Sequence, residues 1–394
     1  MKIRTIGIMK FLHTSDLHLG KKLDGILRLD EQKAVLNEIL SIALQEKVDI
    51  LLVAGDVYDT FIPSSDAENM FFEMVDLFSQ NGITTVCISG NHDDEDRLLA
   101  SKLLASRRGI YLCGSDNNFE YREFGGVSLT RSGNNYVVFS NAKENVFIAT
   151  VPYFGEAPIG YAIDKEQSFG DRAKQILGEI FANKKQDETG VLLTHLFVLG
   201  GSRSDGERDI DLGGVKVLSP DAIPEESVYT ALGHLHKRQV ISNERNVIYS
   251  GSPLQYSYDE VGYVKSVTVF EIIDNNVQNV REIELKSGKK LAKISCLGIE
   301  NASELLENNA DNFVDLTIIS DRPLTFEETA EVKSKYPNVT KIKLELSGNY
   351  EIGAVVGRKN LSEKELFIEF YKCKFGNEPD EELLSAYLEI MAEE

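Results

Sequence analysis

Residues 11–20 read FLHTSDLHLG, and the reading of this stretch decides the fold. An apolar pair, Phe11-Leu12, runs into a polar cluster in which Asp16 and His18 stand two residues apart. Alternate residues of an extended segment share a face, so both side chains of a D-x-H can meet one ion. Open α/β sheets collect ligands beyond the carboxyl ends of their strands. The same sequence grammar recurs down the chain. Asp56 follows the run Val48–Val53, and Asn91 and His92 follow Ile83–Ile88. Further runs cover Val146–Val151, Val191–Leu193 (followed by His195) and Tyr229–Leu232 (followed by His234 and His236). Between the runs, Val35, Leu36, Ile39, Leu40 and Ala43 recur at helical spacing within Gln32–Leu44, and a second amphipathic stretch covers Ala67–Phe78. Buried strands alternating with helices predict an α/β layered sheet with helices on its faces.

Composition bounds the alternatives. The chain has 394 residues, 42% of them hydrophobic and 27% charged, which suits a folded chain of two or three domains rather than a disordered one. No stretch approaches the run of about 20 apolar residues that a membrane helix needs, and the N-terminus lacks a secretory pattern. The four cysteines (Cys87, Cys113, Cys296, Cys373) form no CxxC pair, which fits a reducing cytoplasm and argues against a disulfide framework. A net charge of −21 runs against the basic footprint of nucleic-acid binders, so bound cations, local basic loops or a basic partner would have to meet phosphate. The sequence leaves open whether Met1 or Met9 is the natural start; with Met9, 1–8 would be an upstream extension.

Of six histidines, five sit in short motifs: DLH (16–18), GNHD (90–93), TH (194–195) and GHLH (233–236), with GD (55–56) between the first two. Imidazole and carboxylate are the usual ligands of Mn²⁺, Fe²⁺ and Zn²⁺, and glycine beside a ligand lets the backbone turn sharply off a strand. A single histidine is more often a hydrogen-bonded structural residue, and His13 is read so. Five in ordered motifs point to a metal centre.

That ordered set resembles the calcineurin-like metallophosphoesterase superfamily and, within it, the SbcD family, the nuclease subunits of SbcCD exonucleases and relatives of the double-strand-break repair nucleases. The likeness rests on HTSDLHLG (13–20), AGDVYD (54–59), ISGNHD (88–93), THLFVLGG (194–201), SDGER (204–208), ALGHLHK (231–237) and SGSPLQYS (250–257). It implies two divalent ions, Mn²⁺ in use with Fe²⁺ or Zn²⁺ as alternatives. Asp16, His18 and His236 would hold one, Asn91, His195 and His234 the other, and Asp56 would bridge. His92 would face the scissile phosphate as the catalytic group. Asp59 stands where the archaeal repair nucleases carry a second histidine, which puts a second catalytic imidazole in doubt.

The resemblance further implies a nuclease domain over 1–290, an α+β capping domain over 291–348 and a helical tail over 349–394 that binds a coiled-coil ATPase of SbcC type. The middle unit reads as strands Ala292–Cys296, Phe313–Ile319 and Val339–Leu346 with helices near Ser303–Glu307 and Phe326–Lys335. In the tail, Ser362–Glu365 is a capping box and Pro379 starts a second helix. These helices present Leu366, Phe367 and Phe370, and Leu384, Tyr387, Leu388 and Met391. The expected activity is 3′→5′ exonuclease on duplex DNA and single-strand endonuclease, serving DNA repair, replication and recombination. The alternatives are a phosphoesterase acting on nucleotides or cyclic nucleotides, and an inactive scaffold. Candidate DNA contacts are Lys21, Lys22, Arg28, Arg97, Arg107, Arg108, Lys237 and Arg238. The apolar face of Ala67–Phe78 is read as core, with a homodimer contact through the nuclease domain as its other use.

Overall fold

The computed structural model describes residues 7–154, 168–202 and 217–347, and in the tail residues 364, 365, 367, 368, 371, 372, 379, 383, 384 and 387. The chain opens with β1 (Met9–Thr14), a small hairpin β2 (Lys22–Leu23) and β3 (Ile26–Leu27), helix α1 (Leu29–Glu46), β4 (Ile50–Ala54), α2 (Ser65–Gln80) and β5 (Thr84–Ile88). Short helices α3 (Glu95–Leu99) and α4 (Lys102–Ser106) lead to β6 (Ile110–Cys113). A meander follows: β7 (Arg122–Phe124), β8 (Val127–Gly133), β9 (Tyr136–Ser140) and β10 (Asn145–Val151). Then come α5 (Phe169–Phe181), β11 (Thr189–Thr194), β12 (Ser227–Leu232), β13 (Gln239–Ser242), β14 (Val247–Tyr249), β15 (Ser266–Ile273) and β16 (Asn276–Glu284).

Two sheets face each other. One has the order β16-β15-β1-β4-β5-β6 and the other β13-β14-β12-β11-β10-β9-β8-β7. The apolar runs alternate between two cores, as the pleat requires. Phe11, Ile50, Leu52 and Ala54 point at the second sheet, where Val191, Leu193, Tyr229 and Ala231 meet them. Leu12, Leu51 and Val53 point the other way, against Val35, Leu36 and Ile39 of α1 and Phe71, Val75 and Phe78 of α2. Helix α5 covers the outer face of the second sheet with Ala173, Leu177 and Ile180. The result is four layers, helix–sheet–sheet–helix. The Ala67–Phe78 face read as core is indeed core, and Phe71 is fully buried there. Its truncation to alanine would cost about 3–5 kcal/mol.

Helices outrun their apolar periodicity because caps, not the buried face, fix their ends. Helix α2 begins when the Ser64 side chain accepts from Ala67 N–H, and α1 ends at Lys47 in the left-handed region.

Beyond β16, strands β17 (Leu291–Leu297), β18 (Phe313–Ser320) and β19 (Val339–Leu346) form a parallel sheet, connected through α6 (Ala302–Glu307) and α7 (Phe326–Lys335). A small cluster of Leu23, Tyr258, Leu291 and Phe313 joins this unit to the hairpin and to the loop 258–261. Thr340 Oγ1 donates to Asp24 Oδ2 at 2.7 Å across the same seam. In the tail, the rings of Phe367 and Tyr387 stack at 4.0 Å, so the two helical segments touch each other. Residues 204–208, Ser362, Glu363, Leu366, Phe370, Leu388 and Met391, on which other expectations fell, lie outside the described residues. Among the described residues no helix is long and apolar enough to cross a membrane.

Candidate metal centre

The seven expected ligands come from the carboxyl ends of five strands in both sheets: Asp16 and His18 after β1, Asp56 after β4, Asn91 after β5, His195 after β11, His234 and His236 after β12. Because the sheets lie face to face, these ends share one rim. The turns are tight. Asp16 (φ 52°), His18 (φ 43°), Asp56 (φ 50°) and His234 (φ 97°) all occupy the left-handed side that non-glycine residues seldom adopt. Each costs about 1–3 kcal/mol and persists only where its surroundings overdetermine it. Here neighbouring turns are cross-laced: Asp16 N–H donates to Gly55 O and His18 N–H to Asp56 O, both at 3.0 Å. Glycine is required where turns cross, since a Cβ on Gly90 would overlap Asp56 Oδ1 and one on Gly233 would overlap Ala54 O.

The donors form two halves. In the first, His18 Nε2 and His236 Nε2 face each other at 3.1 Å, and Asp16 belongs to the same cluster. In the second, Asn91 Oδ1 lies 2.9 Å from both His195 Nε2 and His234 Nδ1. Asp56 Oδ2 stands between them, 3.5 Å from His18 Nε2 and 3.4 Å from His195 Nε2. His92 lies beside the first half, its ring centroid 4.7 Å from that of His18. Its Nδ1 is 2.8 Å from the carbonyl oxygen of Asp59.

The donor set favours cations. Burial alone would lower the pKa of His195, but Asp56 raises it to about 9. Asp56 is equally buried, yet His195 foremost among its neighbours holds it well below the usual carboxylate range. Burial raises Asp16 and lowers His18 to about 3. Two buried carboxylates, four imidazole nitrogens and an amide oxygen, packed within contact of one another, fit a pair of divalent cations.

Several supporting residues had no role assigned from the sequence: Glu260 and Gln32 lie outside the motifs, and Asp93 lies inside one. Glu260, in a helical turn (Tyr258–Glu260), accepts from His236 Nδ1 at 2.9 Å and is bound by Lys265 Nζ at 2.5 Å. Asp93, the last residue of GNHD, accepts from Val57, Tyr58 and Gly90 N–H, so it ties the β4 and β5 turns together. Burial raises it to about 7, with Asp56 adding to the effect. Gln32 of α1 donates to His18 O at 2.8 Å and accepts from Gly20 N–H at 3.0 Å. No local signal marks Glu260 or Gln32, because their partners lie far away in sequence or on backbone atoms.

His13 is structural, as read. It is fully buried between the sheets, its Nδ1 3.1 Å from Tyr229 Oη. The candidate DNA contacts fare unevenly. Arg28 is only 1% exposed, donating to Glu31 and to Gln255 O, and stacked over Phe313, so its expected role on DNA is corrected to a structural one. Lys21 pairs with Asp59, Arg97 with Glu68, Arg108 with Asp76 and Arg238 with Glu282. Lys237 Nζ sits over the Tyr263 ring.

Comparison with known proteins agrees with this geometry. The family model "Calcineurin-like phosphoesterase" matches residues 9–238. The chain is 31% identical over 395 residues to a Bacillus subtilis protein named as the SbcD component of the nuclease SbcCD, covering 97% of each chain. It is 27% identical to the protein of that name from Staphylococcus epidermidis, with 92% of this chain and 93% of that one covered. The Rhodobacter capsulatus protein of the same name is 29% identical, with 80% and 77% covered.

Proposed function

The chain belongs to the calcineurin-like phosphoesterase family, within its group of SbcD nuclease subunits, and from that premise we propose that it is a two-metal DNA nuclease of the cytoplasm. The proposed activities are 3′→5′ exonuclease on duplex DNA and endonuclease on single strands, exerted as the nuclease component beside an SbcC-type coiled-coil ATPase. The observation that carries the reading is the placement of Asp56 between two complete sets of donors.

Asp16, His18, His236 and Asp56 would hold one ion, and Asn91, His195, His234 and Asp56 the other. Bound there, divalent ions (Mn²⁺ by preference) would neutralise phosphate charge and make a water acidic enough to attack it near neutral pH. The protein does the rest. The crossed turns fix the donors, which removes the need to organise them during reaction. His92 gives its Nδ1 hydrogen to Asp59 O, which leaves Nε2 to meet the phosphodiester and, when protonated, to hand a proton to the leaving sugar oxygen.

Two features favour a polymer over a small ester. Phe61 and Ile62, 53% and 79% exposed, follow directly on the Asp59–Thr60 turn and offer apolar surface to unpaired bases. The small β17–β19 unit is seated against the hairpin that follows the first ligand turn. The deciding test uses a labelled duplex and a single strand with Mn²⁺, beside bis-nitrophenyl phosphate and nucleotides. Hydrolysis of the oligonucleotides at far higher kcat/KM supports the nuclease, whereas hydrolysis of nucleotides alone supports the small-ester reading. For the partner, removal of 358–394 should abolish co-purification with the ATPase.

A further inference from the structure

We propose that the linker 286–290 and the cavity beneath it form a phosphate-binding site, separate from the metal donors, that grips the backbone of the DNA strand. The inference rests on the nuclease reading and concerns where so acidic a chain meets a polyanion.

The chain carries a net charge of −21, and the basic residues beside the ligand motifs are largely matched. Lys21 pairs with Asp59, Arg97 with Glu68, Arg108 with Asp76 and Arg238 with Glu282, and Arg28 is buried. Each of the four pairs must give up a carboxylate before its cation can neutralise a phosphate. The linker between β16 and β17 differs. Residues 286–290 read KSGKK, and all three lysines are exposed. Among the described residues none of the three pairs with a carboxylate. Lys289 Nζ lies 5.2 Å from the centroid of the Phe313 ring, a contact that leaves its charge unmatched.

The linker is an arch pinned along its length. Leu285 N–H donates to Lys265 O at 2.7 Å before it, and Leu291 N–H to Gln255 Oε1 at 2.8 Å after it. Between these points, Glu38 of α1 accepts from Lys286 N–H at 2.9 Å and Ser287 N–H at 2.7 Å, and Glu31 accepts from Lys289 N–H at 2.6 Å. The nearby carboxylates of α1 thus hold the main chain of the arch and leave its ammonium groups to solvent. Gly288, at φ 87°, brings the arch down onto Leu254, where a Cβ would overlap Leu254 Cδ2. A backbone fixed in advance lowers the ordering cost of binding.

Beneath the arch lies a cavity of about 140 Å³. At about 30 Å³ per water it has room for a solvated phosphate group. Tyr263 and Ser287 line it beside the three lysines, and Glu284 is its one carboxylate. Lys265 also forms part of the wall, with its charge met by Glu260 at 2.5 Å. The cavity is linked to the metal rim by Lys237, which directly follows His236 and whose Nζ lies 4.8 Å from the centroid of the Tyr263 ring. A strand with its scissile phosphate at the rim would lay a further phosphate on the arch, whereas a small ester has only one phosphate to offer.

The test is binding of the full chain to a labelled duplex without divalent ions, so that nothing is cleaved, followed by fluorescence anisotropy over a range of salt. Lys286→Gln combined with Lys290→Gln removes two charges at exposed positions. It should lower the slope of log K against log salt by about 2, at about 0.9 per phosphate contact, whatever the sequence of the duplex. Lys286→Arg combined with Lys290→Arg should keep the wild-type slope. With Mn²⁺ present, the glutamine pair should raise KM for a long duplex more than for bis-nitrophenyl phosphate. An unchanged slope in the glutamine pair would overturn the proposal. If calorimetry then showed inorganic phosphate bound by wild type and not by that pair, the cavity would be a site for free phosphate instead. Wild type that binds no duplex at any salt would overturn the nuclease reading, and this site with it.

Discussion

The ring nitrogen Nδ1 of His92 and the backbone oxygen of Asp59 are 2.8 Å apart, and since a carbonyl can only accept, His92 carries its hydrogen there. The imidazole is aimed by main chain rather than by a side chain. His92→Gln should therefore lower turnover on DNA about 10²- to 10⁴-fold while metal content stays near two ions per chain. Metal analysis beside single-turnover kinetics checks this, and a metal-depleted variant would mean His92 is a ligand.

Asp56 is the residue both halves share. Its replacement by alanine should remove both ions, not one, and abolish hydrolysis. The variant also frees the His92 N–H that donates to Asp56 Oδ1 at 2.8 Å, so the loss cannot be repaired by excess Mn²⁺ alone. Equilibrium dialysis showing one ion at undiminished affinity would contradict the bridging role.

Arg28 tests the distinction between a basic residue and a DNA contact. Its guanidinium joins Glu31, Gln255 O and the Phe313 ring. Arg28→Met should destabilise the chain by about 3 kcal/mol, the low end for breaking a buried pair because Glu31 keeps some solvent contact. The salt dependence of DNA binding should be unchanged, as no phosphate contact is lost. Urea unfolding and binding at several salt concentrations separate the two effects.

His13 makes stability pH-dependent. Burial lowers its pKa to about 3 from an ordinary 6.5. Between those values the unfolded chain binds the extra proton, so stability falls as pH drops below 6.5 and is unaffected by this group above it. From pH 6.5 to 5 the share of His13 is about 2 kcal/mol. His13→Gln should lose less stability than wild type over that interval, measured by urea midpoints at pH 7.5 and 5; equal losses would show that His13 is protonated in the fold without penalty.

Local patterning carried much of the architecture. Runs such as Val48–Val53 and Val191–Leu193 stood out because strands buried on both faces are continuously apolar. Strands β7, β8, β13 and β16 escaped that reading. Each is short or half-exposed toward a sheet edge, and β16 has only exposed and part-buried residues. The antiparallel partner of β1, β15, was also missed, although its SVTVFEII is apolar and β-branched and almost wholly buried.

The seven side chains that the structure gathers on one rim could be picked out from the linear chain, because ligand chemistry belongs to residue type and the turns that carry them need glycine at short spacings. Tertiary structure alone decided what stands behind them. Glu260 lies 24 residues from His236, and Arg28 lies 227 residues from the Gln255 carbonyl that buries its charge. Such pairs are made by packing two sheets and a loop together, and burial is what turns an ordinary glutamate into the brace of His236 and an ordinary arginine into part of the core.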